Sequence, residues 1–365
     1  MALPAVTLIV TQRDRFSLTQ PSLASILADY AAYPFYLIYV DGNSPPAVAQ
    51  YLHAQAARHP FLTLMRRERY LRSNQARNLA LAFIPASPAG EAVTAAADYV
   101  VFLDNDVVVH PGWLGTLVAS AEANQAAIAA PLILQGQPTA PNLEIHVAGI
   151  ATKFHPRPRG KRWFEQKQLF CGAKLQAVEP AALQLAVVDA VEFHSLLIRR
   201  DYLDRVILDD QFDSLASHTD LCFQVAALGG KILIEPRSHV TFLNPKHIPL
   251  FERSDLAFYR FKWNEAYTAQ TFAHSIKKWK LAADDPSLWS IWKWVIENRQ
   301  IPARLSTSEG GWGRRSLQFA QQRRCPGWLR MAIEDTVLRL NFPEAGLSAS
   351  LVIDQPIAAI GSTQF

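Results

Sequence analysis

Apolar residues recur along this chain with two different periods, and the change between them divides it. Through about residue 245, short apolar runs alternate with longer stretches whose apolar positions fall three and four apart. Short β-branched runs predict buried strands, and the wider spacing predicts amphipathic helices. Their alternation predicts an α/β layer fold with a mostly parallel sheet.

Strands are expected at 5–11 (AVTLIVT), 35–40 (FYLIYV), 61–65, 99–103, 187–198 and 231–235, the last closed by Pro236. Helices are expected at 17–30, opened by a Ser17…Gln20 capping box, and at 45–59, behind Ser44-Pro45. Further helices are expected at 74–83, at 111–123 and from Ser217 to Gly229-Gly230, where Ser217 and Asp220 match a second capping box. Residues 86–97, rich in Ala, Pro and Ser, and the basic, proline-stiffened stretch 154–163 read as loops. From 245 onward, segments such as 254–274 and 286–299 carry apolar and aromatic residues near a 3.6 period. The chain therefore reads as an α/β domain over 1–245 and a mainly helical extension over 246–365.

Composition adds an asymmetry. The net charge of +4 is small, but residues 231–330 carry an excess of nine positive charges and seven of the nine tryptophans. Tryptophan beside Lys and Arg suits a peripheral contact with the interface of an anionic membrane. Aromatic rings also stack on sugar faces. The blander account, packing of the extension onto the rest of the chain, suffices for most of these tryptophans. No nucleic-acid-binding motif accompanies the charge. The N-terminus reads as a first strand rather than a targeting segment, and no window is long and apolar enough to suggest a membrane span. Cys171, Cys222 and Cys325 fit neither a disulfide framework nor a zinc site, so a reducing cytoplasm is the expected compartment.

The chemistry-bearing residues cluster behind strands. Tyr99-Val-Val-Phe-Leu-Asp104-Asn-Asp106 delivers two carboxylates to the C-terminal end of a buried strand, the edge where open α/β sheets bind ligands. Mg²⁺ prefers carboxylate and phosphate oxygens, so Asp106 and a nucleoside diphosphate make a plausible metal bridge; a plain Asp-Asn-Asp turn is the alternative. Asp41 also follows a strand and could accept hydrogen bonds from a nucleobase or ribose, or simply close an Asx-turn. Arg77 sits early in a helix, where its fork could meet a phosphate or a base edge. Glu192, placed at a strand end, could meet hydroxyls of a bound ligand, whereas His110 and His194 read as structural.

In order, the strand ending Val10-Thr11, VDGNS at 40–44, ARNLAL at 76–81, FLDNDVVVHPGWL at 102–114, LLIRRDYL at 196–203 and HTDLCFQVAALGGKILIEP at 218–236 resemble the family 2 glycosyltransferases of GT-A fold. The resemblance spans about residues 5–245. It implies a nucleotide-sugar donor, with Thr11, Asp41 and Arg77 lining the nucleoside pocket, Asp104 on the ribose or metal, and Asp106 on Mn²⁺ or Mg²⁺. It implies inverting transfer onto a glycan or lipid-linked acceptor hydroxyl, in polysaccharide or glycoconjugate synthesis. The family often shows Glu-Asp-x-Asp at the late helix, its first Asp being the usual base. Here His218 falls at that position and Asp220 matches the second acid. An imidazole can serve as a base near neutral pH. Related enzymes often supply a late histidine as third metal ligand; His239 is the candidate, with Phe242 the alternative occupant. A sugar nucleotidyltransferase is a rival reading, but Thr11-Gln-Arg-Asp-Arg lacks the Gly-rich loop such enzymes carry near the first strand. The unusual residue at 218 leaves a second rival, a non-catalytic nucleotide-sugar-binding relative.

Overall fold

A computed structural model describes residues 3–84, 97–212, 216–248, 251–305, 307, 311–322 and 325–341. Among the described residues the strands are β1 Val6–Thr11, β2 Tyr36–Gly42, β3 Leu62–Arg67, β4 Tyr99–Asp104, β5 Val107–Val109, β6 Ile128–Gln135, β7 Glu144–Val147, β8 Ile150–Pro156, β9 Arg162–Gln168, β10 Ala186–Val187, β11 Ser195–Arg199 and β12 Ile232–Phe242. The helices of the α/β portion are α1 Thr19–Ala28, α2 Pro46–Arg58, α3 Ser73–Phe83, α4 Trp113–Asn124, the short α5 Arg200–Leu203 and α6 Ser217–Ala227. They are followed by α7 Asp255–Lys262, α8 Glu265–Lys278, α9 Pro286–Arg299, α10 Ile301–Leu305, α11 Trp312–Ala320 and α12 Gly327–Asn341.

The main sheet runs β10-β12-β6-β11-β4-β1-β2-β3, with β5 added to β12 and β7 to β6. Four of the seven pairings along this path are parallel, namely β12–β6, β4–β1, β1–β2 and β2–β3. The expected mostly parallel sheet is thus present, with antiparallel strands around β11. β1, β2 and β4 are buried nearly throughout, so they read as unbroken apolar runs rather than alternating ones. The apolar core lies on this sheet, where Leu8, Ile9, Leu37, Val100 and Leu197 are fully buried.

Several local expectations are corrected. The 187–198 strand is two pieces, β10 and β11, separated by a loop that holds Glu192 and His194. β12 does not stop at Pro236 but passes through it on a register shift between Glu235 and His239; proline is tolerated in a sheet at a bulge. Residues 154–163 are not a free loop but the turn and flanks of the β8–β9 hairpin, where Arg157 stacks on Trp163 at 3.8 Å. Neither capping box forms. Ser17 instead donates to Asp255, through its backbone N–H at 3.0 Å and its hydroxyl at 2.6 Å. The residue capping α6 is Ala216, without a side-chain cap. The 86–97 loop lies, apart from Ala97, outside the described residues.

The described residues form two compact units, divided between residues 305 and 306. In the first, α7 to α9 pack by polar as well as apolar contacts. Lys262 Nζ lies 2.9 Å from Asp14, and the Trp263 indole donates to Asp14 at 3.1 Å. Lys278 and the Trp279 indole reach Asp220 at 2.8 and 3.1 Å. Trp263 and Trp279 are buried, as the packing account expects, while Trp294 is exposed. In the second unit α11 and α12 pack together, with Trp312 and Trp328 exposed. Among the described residues no helix is long and apolar enough to cross a membrane.

Candidate active site

Parallel pairing puts the ends of three strands at one edge. Thr11 is in register with Asp104 on one side and Val40 on the other, so Thr11, Asp41 and Asp104 end their strands together. The loop after β1 is fastened over that edge by Asn105. Its side chain accepts from the Arg13 N–H at 2.8 Å and donates to the Arg15 carbonyl at 2.9 Å and to Thr19 Oγ1 at 3.1 Å. The middle residue of Asp-Asn-Asp is therefore a clamp, and the two carboxylates flank it.

The two have opposite surroundings. Asp104 meets Arg13 at 2.9 Å and Arg77 at 3.4 Å, with His194 Nδ1 at 3.3 Å. Burial alone would raise its pKa, but Arg13, His194 and Arg77 hold it far below the usual carboxylate range. Asp106 is fully buried and neither of its oxygens has a hydrogen-bond partner. Burial, then the nearby charges of Asp14 and Asp104, push its pKa up to about 8. A buried carboxylate without a partner costs several kcal/mol unless a cation or a proton joins it. Asp104, Asp106 and His194 offer ligand atoms within 4.8 Å of one another, a group suited to a divalent cation.

Asp41 is equally buried but fully engaged. It accepts from Gln12 Nε2 at 2.7 Å and from the Ser44 N–H and hydroxyl at 2.9 and 2.8 Å, and it pairs with Arg66. Arg77 lies 3.6 Å over the Phe193 ring and reaches Asn74 at 3.1 Å. Thr11 Oγ1 is buried without a hydrogen bond.

A cleft of about 510 Å³ opens beside this edge, lined by Arg13, Arg77, His146, Glu192, His218 and Trp263 among others. His218, half-buried on α6, faces it. Asp220 is not among the lining residues. It is buried and occupied by Gln224, Lys278 and Trp279. His239 is not gathered with the acids; its ring stands 5.9 Å from that of His110. Phe242, further along β12, packs at 4.1 Å on His194 and lies under Arg13.

His194, Arg13 and His146 are site residues that sequence reasoning missed. β11 runs antiparallel to β4, with Ser195 opposite Leu103, so whatever precedes β11 lies beside whatever follows β4. Burial, then the charge of Arg13, push the His194 pKa down to about 4. Glu192, set on the same loop, contacts His146 at 3.1 Å and accepts from Gln168 at 2.6 Å. Its pKa, which burial would raise, falls well below normal because of His146, His194 and His218.

A buried, mostly parallel sheet with paired acids at its carboxyl edge and a polar cleft beyond them defines an α/β domain with a ligand site at its strand ends. Residues 7–176, a little under half of the chain, match the family model described as glycosyl transferase family 2, and that stretch is similar to the family. Among solved structures, the chain is similar to one described as the crystal structure of GalNAc-T7 with UDP, GalNAc and Mn²⁺, at 15% identity and a TM-score of 0.49. The match covers 89% of this chain and 58% of that one, so the chain spans little more than half of that structure's length. No curated protein matches the chain.

Proposed function

We propose that this protein is a metal-dependent glycosyltransferase that moves a sugar from a nucleoside-diphosphate sugar to an acceptor hydroxyl with inversion. The observation that carries the reading is Asp106, a buried, unpartnered carboxylate beside Asp104 at the carboxyl edge of a family 2 glycosyltransferase-like domain. Asp106 and Asp104 would hold Mn²⁺ or Mg²⁺, with His194 in reach. When bound, such an ion offsets the charge that develops on the departing diphosphate. Thr11, Asp41 and Arg77 stand on the nucleoside side, and Arg13 adds a fixed cation beside the acids.

His218 is assigned as the general base, because it faces the cleft while Asp220 is committed to Lys278 and Trp279. The acceptor hydroxyl gives its proton to the His218 imidazole as its oxygen bonds to the anomeric carbon. The bond from that carbon to the diphosphate oxygen breaks, and the electron pair leaves with the diphosphate. Residues 1–245 would supply this chemistry. The extension from 246 would wall the acceptor side through Trp263 and Trp294. The acceptor would be a glycan or a lipid-linked precursor of a surface polysaccharide or other glycoconjugate, met in the cytoplasm. A peripheral contact with an anionic membrane through Trp312 and Trp328, both exposed on the second unit, would fit the lipid-linked case. Flotation with anionic vesicles at low salt tests that contact, and its absence removes it.

The test of the function is a thermal-shift screen of nucleoside diphosphates and nucleotide sugars with and without Mn²⁺. One nucleotide should stabilise the chain only with metal, and Asp106→Ala should abolish the effect. Stabilisation by none would leave a non-catalytic relative.

A further inference from the structure

The loop ahead of β11 holds a second group of potential ligands on the other side of His194. His146 Nε2 and His194 Nε2 both approach the same oxygen of Glu192, Oε2, at 3.1 and 3.4 Å. The three ligand atoms all lie within 4.8 Å of one another. Tetrahedral bonds of about 2.0–2.1 Å, the usual zinc–nitrogen and zinc–oxygen lengths, place neighbouring ligand atoms about 3.3 Å apart. The two measured separations bracket that spacing.

The proton count points the same way. His194 is wholly buried, and neither ring nitrogen makes a hydrogen bond. Yet Nδ1 faces Asp104 and Nε2 faces Glu192, each a carboxylate. A neutral imidazole carries one N–H, so it can satisfy only one of them and must turn a lone pair toward the other. A cation between that lone pair and the carboxylate converts a repulsion into two bonds. With the proton on Nδ1, toward Asp104, the free lone pair is on Nε2, toward Glu192 and His146.

The surroundings are those of an oriented ligand set. His146 Nδ1 lies 3.1 Å from Gln135 Oε1, and that amide oxygen is held by Asn244 at 2.9 Å. A donor role for Nδ1 leaves Nε2 free to coordinate. The second oxygen of Glu192 is fixed by Gln168 at 2.6 Å. Metal-binding histidines nearly always donate their other nitrogen to a carboxylate or carbonyl in this way. His146 and Glu192 line the cleft, so a fourth position would face it.

We propose that His146, Glu192 and His194 form a transition-metal site, for Zn²⁺ or a similar borderline ion, separate from the Asp104–Asp106 pair. Imidazole donors favour such ions, whereas the carboxylate pair favours Mg²⁺ or Mn²⁺.

The test loads the full-length, metal-stripped protein with Co²⁺, and in a parallel sample with Cu²⁺, without nucleotide. The Co²⁺ protein should show visible bands of a four- or five-coordinate site, displaced by Zn²⁺. The Cu²⁺ protein should show electron-paramagnetic-resonance splitting from two nitrogens. Glu192→Gln and His146→Gln should each weaken Zn²⁺ binding by about 100-fold or more, and Gln135→Leu by about 10-fold. Asp106→Asn should leave the spectra unchanged while removing the nucleotide-dependent Mn²⁺ effect, so the two metal sites fail separately. No sub-millimolar Zn²⁺ binding, or a wild-type Cu²⁺ signal without two nitrogens, overturns the proposal whatever the variants' folding. Spectra lost in Asp106→Asn and kept in Glu192→Gln overturn it as well.

Discussion

Replacing Asp106 by Asn should stabilise the metal-free protein. The carboxylate is fully buried, has no hydrogen-bond partner and shares its surroundings with Asp14 and Asp104. Its pKa rises from the ordinary 3.8 to about 8, so the folded state holds a proton that the unfolded state has released across that window. Stability therefore falls as pH rises from about 4 to 8, and the full cost is present above that. At about 1.36 kcal/mol per pK unit, a shift of roughly four units caps the cost near 5–6 kcal/mol. Relaxation and water entry reduce such figures severely, leaving about 2 kcal/mol. For a chain of this size that is about 3 °C in melting temperature.

The assay is a set of thermal melts of both proteins from pH 5 to 9, in a chelator and in Mn²⁺. In chelator, Asp106→Asn should melt higher, by a margin that grows with pH and levels off above about 8. In Mn²⁺ the wild type should gain and the variant should not, so the order narrows or inverts. A variant that melts at or below the wild type in chelator at pH 9 would refute the unpaired-carboxylate argument.

Other consequences can be measured as simply. His218→Ala should lower kcat by about 10²–10⁴-fold with the donor KM little changed; initial rates with a matched donor and acceptor check it, and an unchanged kcat removes His218 as base. Asn105→Ala releases Arg13, Arg15 and Thr19 at once and should cost about 1–3 kcal/mol by chemical denaturation. Gly149 has φ +89°, and an added Cβ would fall 2.5 Å from Val188 Cγ1. Gly149→Ala should therefore destabilise by about 2 kcal/mol or more, and a denaturant midpoint equal to the wild type's would show that the loop simply moves aside.

What the sequence disclosed followed from locality. The strand ending in Asp104 announces itself as an apolar run that stops at turn chemistry, and parallel order then places Thr11, Asp41 and Asp104 at one edge. The helices at 254–274 and 286–299 were equally readable from their period. His194 was not, because its importance arises only when β11 returns antiparallel beside β4, a pairing that no local pattern encodes. Ser17 and Ser217 carried sound capping signals that tertiary partners or geometry overrode, Asp255 taking Ser17. His239 lost the place expected of it because β12 bulges after Glu235 and continues, which brings Phe242 rather than His239 against His194.

Two buried aspartates of the α/β portion, Asp14 and Asp220, have their cationic partners on α7 and α8. Lys262 and Lys278 thus add charge from the helices to acids of the α/β portion, Asp14 also having Arg13 at 3.9 Å. A change in these helices would have to keep Lys262 and Lys278, or else alter the acids with them. Drift in these helices is therefore constrained by two acids of the α/β portion, and transplanted helices would succeed only if they brought matching cations with them.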